Sequence, residues 1–325
     1  MRKDVDINKA AQIIKQGGLV AFPTETVYGL GADATNAQAV ARIFVEKERP
    51  SFDPLIVHIA SMEQIHSLTT TKDNRVTELA KKFWPGPLTI VLPKSDLVPD
   101  VVTSGLPTVG IRMPDNEIAL NLIEKSGKPI AAPSANKFGR ISPTTANHVK
   151  KQLKDIDYIL DGGPCKVGIE STVISLNPDG FVILREGFIT FKDLEQVLPA
   201  SKTKTSSAPL ASPGLLKSHY SPEKPIYISD NQDFKSIRKI LDSIEPTKKA
   251  AFISFTGIVH EGFSKTEFLS TKADLKEAAV NLFDILHRLE EDPNVDIIIA
   301  EPVPGDGIAK AIMDKLTKAS FRYNN

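Results

Sequence analysis

The sequence predicts an α/β protein with two domains. Short apolar runs of strand length alternate with amphipathic helical patterns, which is typical of sheets covered by helices. A length of 325 residues suggests about two domains, each large enough to bury its own core. The composition changes at about Ala200, because residues 201–214 are rich in Ser, Thr, Lys and Pro. We therefore expect one domain at 1–200, a linker at 201–224 and a smaller domain at 225–325.

An apolar run at residues 18–22 predicts a short buried strand that Pro23 ends. Thr24, Glu25, Thr26 and Tyr28 follow directly, and Gly29 and Gly31 predict backbone turns. Open α/β sheets bind ligands just beyond the carboxyl ends of their strands. The segment is therefore either a ligand loop or an ordinary hydrogen-bonded turn.

The rest of the first domain continues the alternation. Helical patterns cover residues 7–15, 36–48, 73–83, 116–126 and 144–153. Strand patterns cover residues 54–59, 88–92, 108–112, 129–132 and 158–160, and a hairpin pairs 172–176 with 181–184. Lys47 continues the apolar face of its helix, so its side chain either snorkels or points into a cleft.

The second domain repeats the pattern on a smaller scale. Strands are expected at 226–228, 251–254 and 296–299, and helices at 272–289 and 308–318, which predicts a small doubly wound domain. In the linker, Ser212-Pro213-Gly214 and His219-Tyr220 are more specific than a passive spacer requires.

The amino-acid composition argues against several classes of function. Lys plus Arg and Asp plus Glu number 40 each, so no overall basic field favours nucleic-acid binding, although a local basic cleft stays open. A single cysteine, Cys165, excludes an internal disulfide and a Cys-based zinc cluster. The N-terminus has no signal-peptide core, and no apolar run approaches the roughly 20 residues of a membrane span. We expect a cytoplasmic protein with no membrane partner.

Standard catalytic motifs are missing from the sequence. It contains no phosphate-binding loop of the G-x-x-x-x-G-K-[ST] type, no G-x-S-x-G and no H-E-x-x-H, and its six histidines are scattered. His58, in an apolar strand, fits a core histidine when taken alone.

A set of polar side chains instead lies at the predicted strand ends. Its members are Thr24, Lys47, Arg49, His58, Arg112, Ser134, Asn136, Ser171, Thr172 and Arg185. Taken singly, each fits a structural role. Together, several cations with hydroxyl and amide partners suit an anionic ligand rich in oxygen. The absence of a nucleophilic pair favours chemistry by positioning and charge neutralisation, as in nucleotidyl transfer.

The constellation resembles the threonylcarbamoyl-AMP synthases. The motifs that carry the resemblance are Phe22-Pro23-Thr24-Glu25-Thr26-Val27-Tyr28-Gly29-Leu30, Lys47-Glu48-Arg49-Pro50, Trp84-Pro85-Gly86-Pro87-Leu88-Thr89, Gly110-Ile111-Arg112-Met113-Pro114, Ala132-Pro133-Ser134-Ala135-Asn136 and Ser171-Thr172-Val173. The linker motifs and the second domain resemble the long form of that family. Leu215-Leu216-Lys217-Ser218 departs from it, since the family has a more basic and aromatic run there.

The resemblance implies a fold and a reaction. The fold is a twisted, open, mixed sheet with flanking helices (YrdC-like), followed by a linker and a Rossmann-like, doubly wound C-terminal domain. The reaction joins L-threonine, bicarbonate or CO₂ and ATP into threonylcarbamoyl-AMP and pyrophosphate. Its implied cofactor is Mg²⁺ that arrives with ATP, and the sequence leaves the metal ligands unknown. The implied partners are downstream threonylcarbamoyl-transferase proteins and a weak contact with tRNA.

The resemblance also assigns residues. Lys47 and Arg49 would be catalytic. The threonine end would be held by Thr24, His58, Arg112, Ala132, Ser134 and Thr172. The nucleotide would be held by Lys47, Arg49, Thr108, Ser134, Asn136, Ser142, Arg185, His219 and Tyr220. Because a reactive adenylate must be kept from water, residues 201–224 are expected to act as a lid.

Two other functions stay open at this stage. An RNA-binding module could use a cationic concave surface, but the neutral total charge and the lack of an aromatic stacking ladder oppose it. A regulatory small-molecule binder would keep the pocket without needing a lysine and several arginines aimed at phosphates. Release of pyrophosphate separates an enzyme from both.

Overall fold

A computed structural model describes residues 6–202 and 216–321. Within these ranges the chain divides into two compact units. The first contains residues 6–138, 142–166 and 170–202, and the second contains residues 139–141, 167–169 and 216–321. Two short segments of the N-terminal sequence therefore belong to the second unit.

The first unit is a mixed sheet with helices. Its strands are β1 (Val20–Phe22), β2 (Gly29–Asp33), β3 (Ile56–His58), β4 (Leu88–Pro93), β5 (Thr108–Arg112), β6 (Ile130–Ala131), β7 (Tyr158–Ile159), β8 (Thr172–Asn177) and β9 (Gly180–Arg185). Its helices are α1 (Ile7–Lys15), α2 (Ala37–Lys47), α3 (Ile65–Leu68), α4 (Asn74–Phe83), α5 (Asp100–Thr103), α6 (Glu117–Ser126), α7 (Ala146–Gln152) and α8 (Phe191–Glu195).

The strand order of this sheet is β7-β1-β2-β6-β3-β5-β4-β8-β9. The sheet contains parallel pairs, such as β3 with β5 and β4 with β8, and antiparallel pairs, such as β4 with β5, so the mixed sheet is confirmed. The register pairs His58 with Arg112 and Leu88 with Thr172. Predicted polar positions from separate motifs thereby become neighbours at the strand ends.

Side-chain caps explain why the helix limits could be predicted. Asn36 accepts hydrogen bonds from the backbone N–H groups of Gln38 and Ala39, and Asn116 caps α6 in the same way. Such a cap satisfies backbone donors that have no partner inside the helix. Both helices begin directly after these asparagines.

The segment at Gly29–Asp33 corrects the sequence analysis, which predicted turns there. It forms β2, which pairs antiparallel with β1 and with β6. A Cβ on Gly31 would lie 2.7 Å from side-chain atoms of both Phe22 and Ile130. The glycine is therefore needed for close strand packing rather than for a turn, and the polar residues 24–26 lie between two strands.

The second unit is a parallel sheet with three described helices. Its strands are β10 (Ile226–Ile228), β11 (Ala250–Ser254), β12 (Lys265–Phe268) and β13 (Ile297–Ala300), in the order β10-β13-β11-β12. Its helices are α9 (Phe234–Ser243), α10 (Leu275–Glu291) and α11 (Ile308–Ser320). The sequence analysis missed β12, an edge strand whose residues are all half-buried and which therefore lacks an apolar pattern. In the described part of the chain, no helix has the length and apolar character to cross a membrane.

Candidate active site

A buried ion pair lies at the end of β5. Arg112 and Glu25 are 4% and 3% exposed, and Nη2 of the arginine is 2.6 Å from Oε2 of the glutamate. Nη1 of Arg112 donates a hydrogen bond of 3.0 Å to Oγ1 of Thr26, and Nε donates one of 3.3 Å to the carbonyl of Gly86. A buried guanidinium requires an anion, and in this structure Glu25 supplies it.

The turn that carries Glu25 is held by its own threonines. Oγ1 of Thr24 donates to the carbonyl of Val27 at 2.7 Å and lies 2.8 Å from Oγ1 of Thr26. It also accepts hydrogen bonds from the backbone N–H groups of Thr26 and Val27. Thr24 therefore fixes the shape of the segment that presents Glu25 to Arg112.

His58 lies beside Arg112 in the register of β3 and β5. Burial, with a further contribution from the Arg112 charge, lowers the pKa of His58 to about 3. The imidazole is therefore neutral near pH 7. Its Nδ1 atom is buried and has no hydrogen-bond partner among the described residues.

A second group of charges surrounds the C-terminal end of α2. Lys47 is 1% exposed, and its ammonium donates hydrogen bonds to the carbonyls of Ser134, at 2.7 Å, and Asn136. Nη2 of Arg49 lies 2.9 Å from Oδ2 of Asp53 in a buried pair. Burial, and then the charge of Arg49, lower the pKa of Lys47. The structure thus shows that Lys47 points inward rather than snorkelling.

Arg185 belongs to the same electrostatic group. Burial raises the pKa of Asp53, whereas Arg49, Lys47 and Arg185 act in the opposite direction. Arg185 donates hydrogen bonds to the carbonyl and the Oγ of Ser171. We call Lys47, Arg49 and Arg185 the cation group; three cations near one carboxylate leave a positive excess that suits an anionic ligand.

The remaining predicted residues of the first unit lie on strands or on the segment after β6. Oγ of Ser142 donates a hydrogen bond of 2.7 Å to Glu170, and Oγ1 of Thr172 donates one of 2.6 Å to the carbonyl of Ile189. The backbone N–H of Ala132 donates to Ile56. Thr108 and Arg112 are the two ends of β5 and share one face, about 13 Å apart at the usual rise per residue.

His219 and Tyr220 lie in the second unit. The backbone N–H of His219 donates to the carbonyl of Lys318, and the ring of Tyr220 packs 5.2 Å from that of Phe283. Tyr220 is fully buried. Their predicted role toward the nucleotide stays a prediction, and residues 203–215 of the predicted lid lie outside the described residues.

Sequence reasoning missed three carboxylates of this site: Glu25, Asp53 and Glu170. Each was close to a predicted residue, since Glu25 follows Thr24, Asp53 is four residues after Arg49, and Glu170 precedes Ser171. A buried arginine needs an acid within reach, and that requirement could have pointed to the nearest Asp or Glu.

The described residues contain no group of three or more His, Cys, Asp or Glu side chains that could hold a metal ion. A cavity of about 370 Å³ is lined by Thr24, Asn116, Ile118, Gly162 and Lys166, among others. Its size falls within the range of small-molecule sites. The cavity therefore reaches the turn that carries Glu25.

Comparisons with known proteins agree with this geometry. A family model named Sua5_yciO_yrdC and described as "Telomere recombination" matches residues 12–187, and one described as "Threonylcarbamoyl-AMP synthase, C-terminal domain" matches residues 189–320. The threonylcarbamoyl-AMP synthase of Pyrococcus abyssi is 44% identical over 97% of this chain and 94% of its own length. That of Bacillus subtilis is 42% identical over 98% of this chain and 93% of its own.

A solved structure of one of these relatives also matches the fold of this chain. The crystal structure of P. abyssi Sua5 complexed with L-threonine superposes with a TM-score of 0.87 at 43% identity, covering 97% of this chain and 94% of that one. The two family models together span nearly the whole sequence, and so does each of the two relatives. The chain therefore belongs to the threonylcarbamoyl-AMP synthase family, in its two-domain form.

Proposed function

We propose that this protein condenses L-threonine, bicarbonate or CO₂ and ATP into threonylcarbamoyl-AMP and pyrophosphate. The observation that carries the proposal is the pairing of two buried charge groups within one unit. Arg112 with Glu25 suits an amino acid, and the cation group suits phosphates. The threonine complex of P. abyssi Sua5 supports L-threonine as the amino acid.

In this proposal, L-threonine binds at the strand ends around Arg112. The guanidinium would bind the threonine carboxylate, because its planar array of N–H donors matches that geometry. Neutral His58 would add a hydrogen bond through its buried Nδ1 atom without adding charge. Thr24, Ala132 and Thr172 would complete the walls of this part of the site.

ATP would bind to the cation group and to the segment after β6. Lys47 and Arg49 would neutralise the phosphates while the carbamate oxygen attacks the α-phosphorus. Since Lys47 is bound to two backbone carbonyls, its ammonium is held in place before ATP arrives. Ser134, Asn136, Ser142, Thr108 and Arg185 would hold the rest of the nucleotide, together with His219 and Tyr220.

Magnesium would enter this site on the phosphates of ATP, since Mg²⁺ is usually held by one or two carboxylates plus phosphates. Glu170 fits as a protein ligand, because its Oε2 atom has no hydrogen-bond partner among the described residues while Oε1 is held by Ser142. The ion would supply further neutralisation of the phosphate charge.

The proposed reaction implies further partners. The product is a reactive mixed anhydride, so a transferase must accept its threonylcarbamoyl group, and tRNA is the proposed final acceptor. A weak tRNA contact and a cytoplasmic location remain part of this proposal.

The test is release of pyrophosphate from purified protein mixed with ATP, L-threonine and bicarbonate. We expect release only when all three are present, and mass spectrometry should find threonylcarbamoyl-AMP. Release without threonine, or none with all three, would contradict the proposal. The RNA-binding alternative gains no support, because Lys47, Arg49, Arg112 and Arg185 are all at most 7% exposed and do not form an open basic surface.

A further inference from the structure

One oxygen of Glu25 is not used by the folded protein. Both oxygens are buried and accept no hydrogen bond from any described residue, but Oε2 has the ion pair with Nη2 of Arg112, whereas Oε1 is in no described ion pair. Buried carboxylate oxygens nearly always have a donor, because an unmet acceptor is costly away from water. An oxygen in this position therefore suits a donor that a ligand brings.

Arg112 also keeps donors available. Its three described contacts engage Nε with Gly86, Nη1 with Thr26 and Nη2 with Glu25. A guanidinium has five N–H groups, so Nη1 and Nη2 each retain a second one. The arginine can bind a carboxylate while its contact with Glu25 persists.

Together the pair matches the charges of an amino acid. An α-amino acid carries a carboxylate and an ammonium on one carbon, and Arg112 with Glu25 presents the opposite charges side by side, 2.6 Å apart. Thr24, the residue before Glu25, lines the cavity of about 370 Å³. Its hydroxyl connects through Thr26 to Arg112. The turn that carries Glu25 thus borders a space large enough for threonine through Thr24, whereas Glu25 and Arg112 do not themselves line it.

The other titratable groups beside the pair are not anions near pH 7. His58 is neutral, since burial and Arg112 lower its pKa to about 3. The thiol of Cys165 stays protonated, because burial, and then the charge of Glu25, raise its pKa. Asp115 and Glu117 also line the cavity, but Glu25 is the carboxylate that contacts Arg112, so it is the one placed to take the ammonium of an amino acid whose carboxylate Arg112 binds.

We infer that Glu25 is a catalytic residue that binds the ammonium of threonine through Oε1 and removes one of its protons. This inference rests on the proposed function. In the step, a proton passes from the ammonium to Glu25, and the freed nitrogen lone pair forms the N–C bond to CO₂. One C–O π pair moves to oxygen, and the nitrogen then loses a second proton to water. The product is the carbamate that attacks ATP. A general base must lie within hydrogen-bond reach of the proton that it takes.

The test compares two ligands in two variants by calorimetric titration. L-Threonine carries the ammonium, whereas 3-hydroxybutyrate keeps the carboxylate and hydroxyl and lacks it. In Glu25→Gln, we expect threonine to bind at least about tenfold more weakly, the range for losing a charge-assisted hydrogen bond. Binding of 3-hydroxybutyrate should change less than about threefold. Equal weakening of both ligands would assign Glu25 a structural role through Arg112 and overturn the inference.

Asp33→Asn is the matched control. It also removes one buried carboxylate from its cationic partner, here Lys128, and should leave the preference for threonine over 3-hydroxybutyrate unchanged. If wild-type protein binds no threonine, the proposed function fails rather than this inference.

Should Glu25→Gln not fold, Glu25→Asp keeps the charge that Arg112 needs but withdraws the carboxylate by one methylene. It should lower kcat at least tenfold, and an unchanged kcat with an unchanged ligand preference would overturn the inference.

Discussion

The side chain of Lys47 is surrounded by protein atoms and is almost completely shielded from solvent. Its ammonium is bound to the carbonyls of Ser134 and Asn136, and neighbouring Arg49 adds repulsion. The short segment at 134–136 is therefore attached to the end of α2 by this one side chain. A charge placed in this way is costly to bury, which favours a role toward an anion over a role in stability.

We expect Lys47→Met to lose most synthase activity and at least tenfold in ATP affinity. Methionine keeps the length of the apolar stem, so the free energy of unfolding should fall by less than about 2 kcal/mol. Lys137→Met is the control, because that lysine is about one third exposed and pairs with exposed Glu48. Near-normal turnover and ATP affinity in Lys47→Met would remove Lys47 from the phosphate site.

His58 should make the protein sensitive to acid. Its pKa is about 3 when folded and near 6.5 when unfolded, so between these values the unfolded chain binds a proton that the folded chain does not. Stability should therefore fall as the pH drops below about 6.5, by roughly 1.4 kcal/mol per pH unit from this group alone.

The measurement is urea unfolding at pH 7, 5.5 and 4.5. In His58→Gln, we expect a flatter decline of stability toward low pH than in wild type. His66→Gln, at an exposed histidine, should keep the wild-type decline. Identical slopes in wild type and His58→Gln would show that His58 is not held neutral.

At the scale of elements, the site depends on close backbone approach. A Cβ on Gly187 would lie 2.3 Å from the backbone nitrogen of Thr172 and 2.6 Å from the carbonyl oxygen of Glu170. Gly187 follows the end of β9, where Arg185 lies, and the segment that it contacts leads into β8 and includes Ser171, to which Arg185 donates a hydrogen bond. A side chain at position 187 would therefore push apart two parts of the site.

We expect Gly187→Ala to lower the free energy of unfolding by about 1–3 kcal/mol and to weaken ATP binding. Gly127→Ala is the control. Gly127 has a φ of 63° at the end of α6 with open space around it, so alanine there should cost about 1 kcal/mol of backbone strain and leave binding intact. Chemical denaturation and calorimetry check both variants, and unchanged ATP affinity in Gly187→Ala would contradict the argument.

At the scale of the whole molecule, each unit has its own core. In the second unit, Ile237 of α9 packs with Phe252 and Ile299 of the sheet. Tyr220 belongs to this unit, so replacing it by alanine would open a cavity there and cost about 3–5 kcal/mol. A test of the predicted lid must separate that loss of packing from a role at the active site.

We therefore expect His219→Ala combined with Tyr220→Phe, which keeps the ring, to release more free AMP through hydrolysis of the product than wild type. A chain ended after residue 200 should release still more, because a lid keeps water from the adenylate. Chromatography of AMP and threonylcarbamoyl-AMP measures both. If both proteins keep the wild-type ratio, residues 201–224 are only a tether.

Local signals in the sequence determined the limits of several helices and the family of this protein. The caps at Asn36 and Asn116 could be read without a structure, because a cap acts within three residues of its helix. The period of its helix placed Lys47 on the apolar face, although only the structure showed that its side chain points inward. The motifs also identified the family, because their residue types and order are specific.

Tertiary structure decided what those residues touch. Arg112 was expected to hold the threonine end of the ligand, yet in the structure its anionic partner is Glu25. The contact of Arg112 with Thr26 joins residues 86 positions apart. Gly29–Asp33 became a strand because two partner strands accept it, although its glycines predicted turns. Pairings between distant segments depend on the packing of the whole sheet, and no local propensity encodes them. For this reason the sequence could supply candidate residues for the site, whereas the pairing of Arg112 with Glu25 was found only in the tertiary structure.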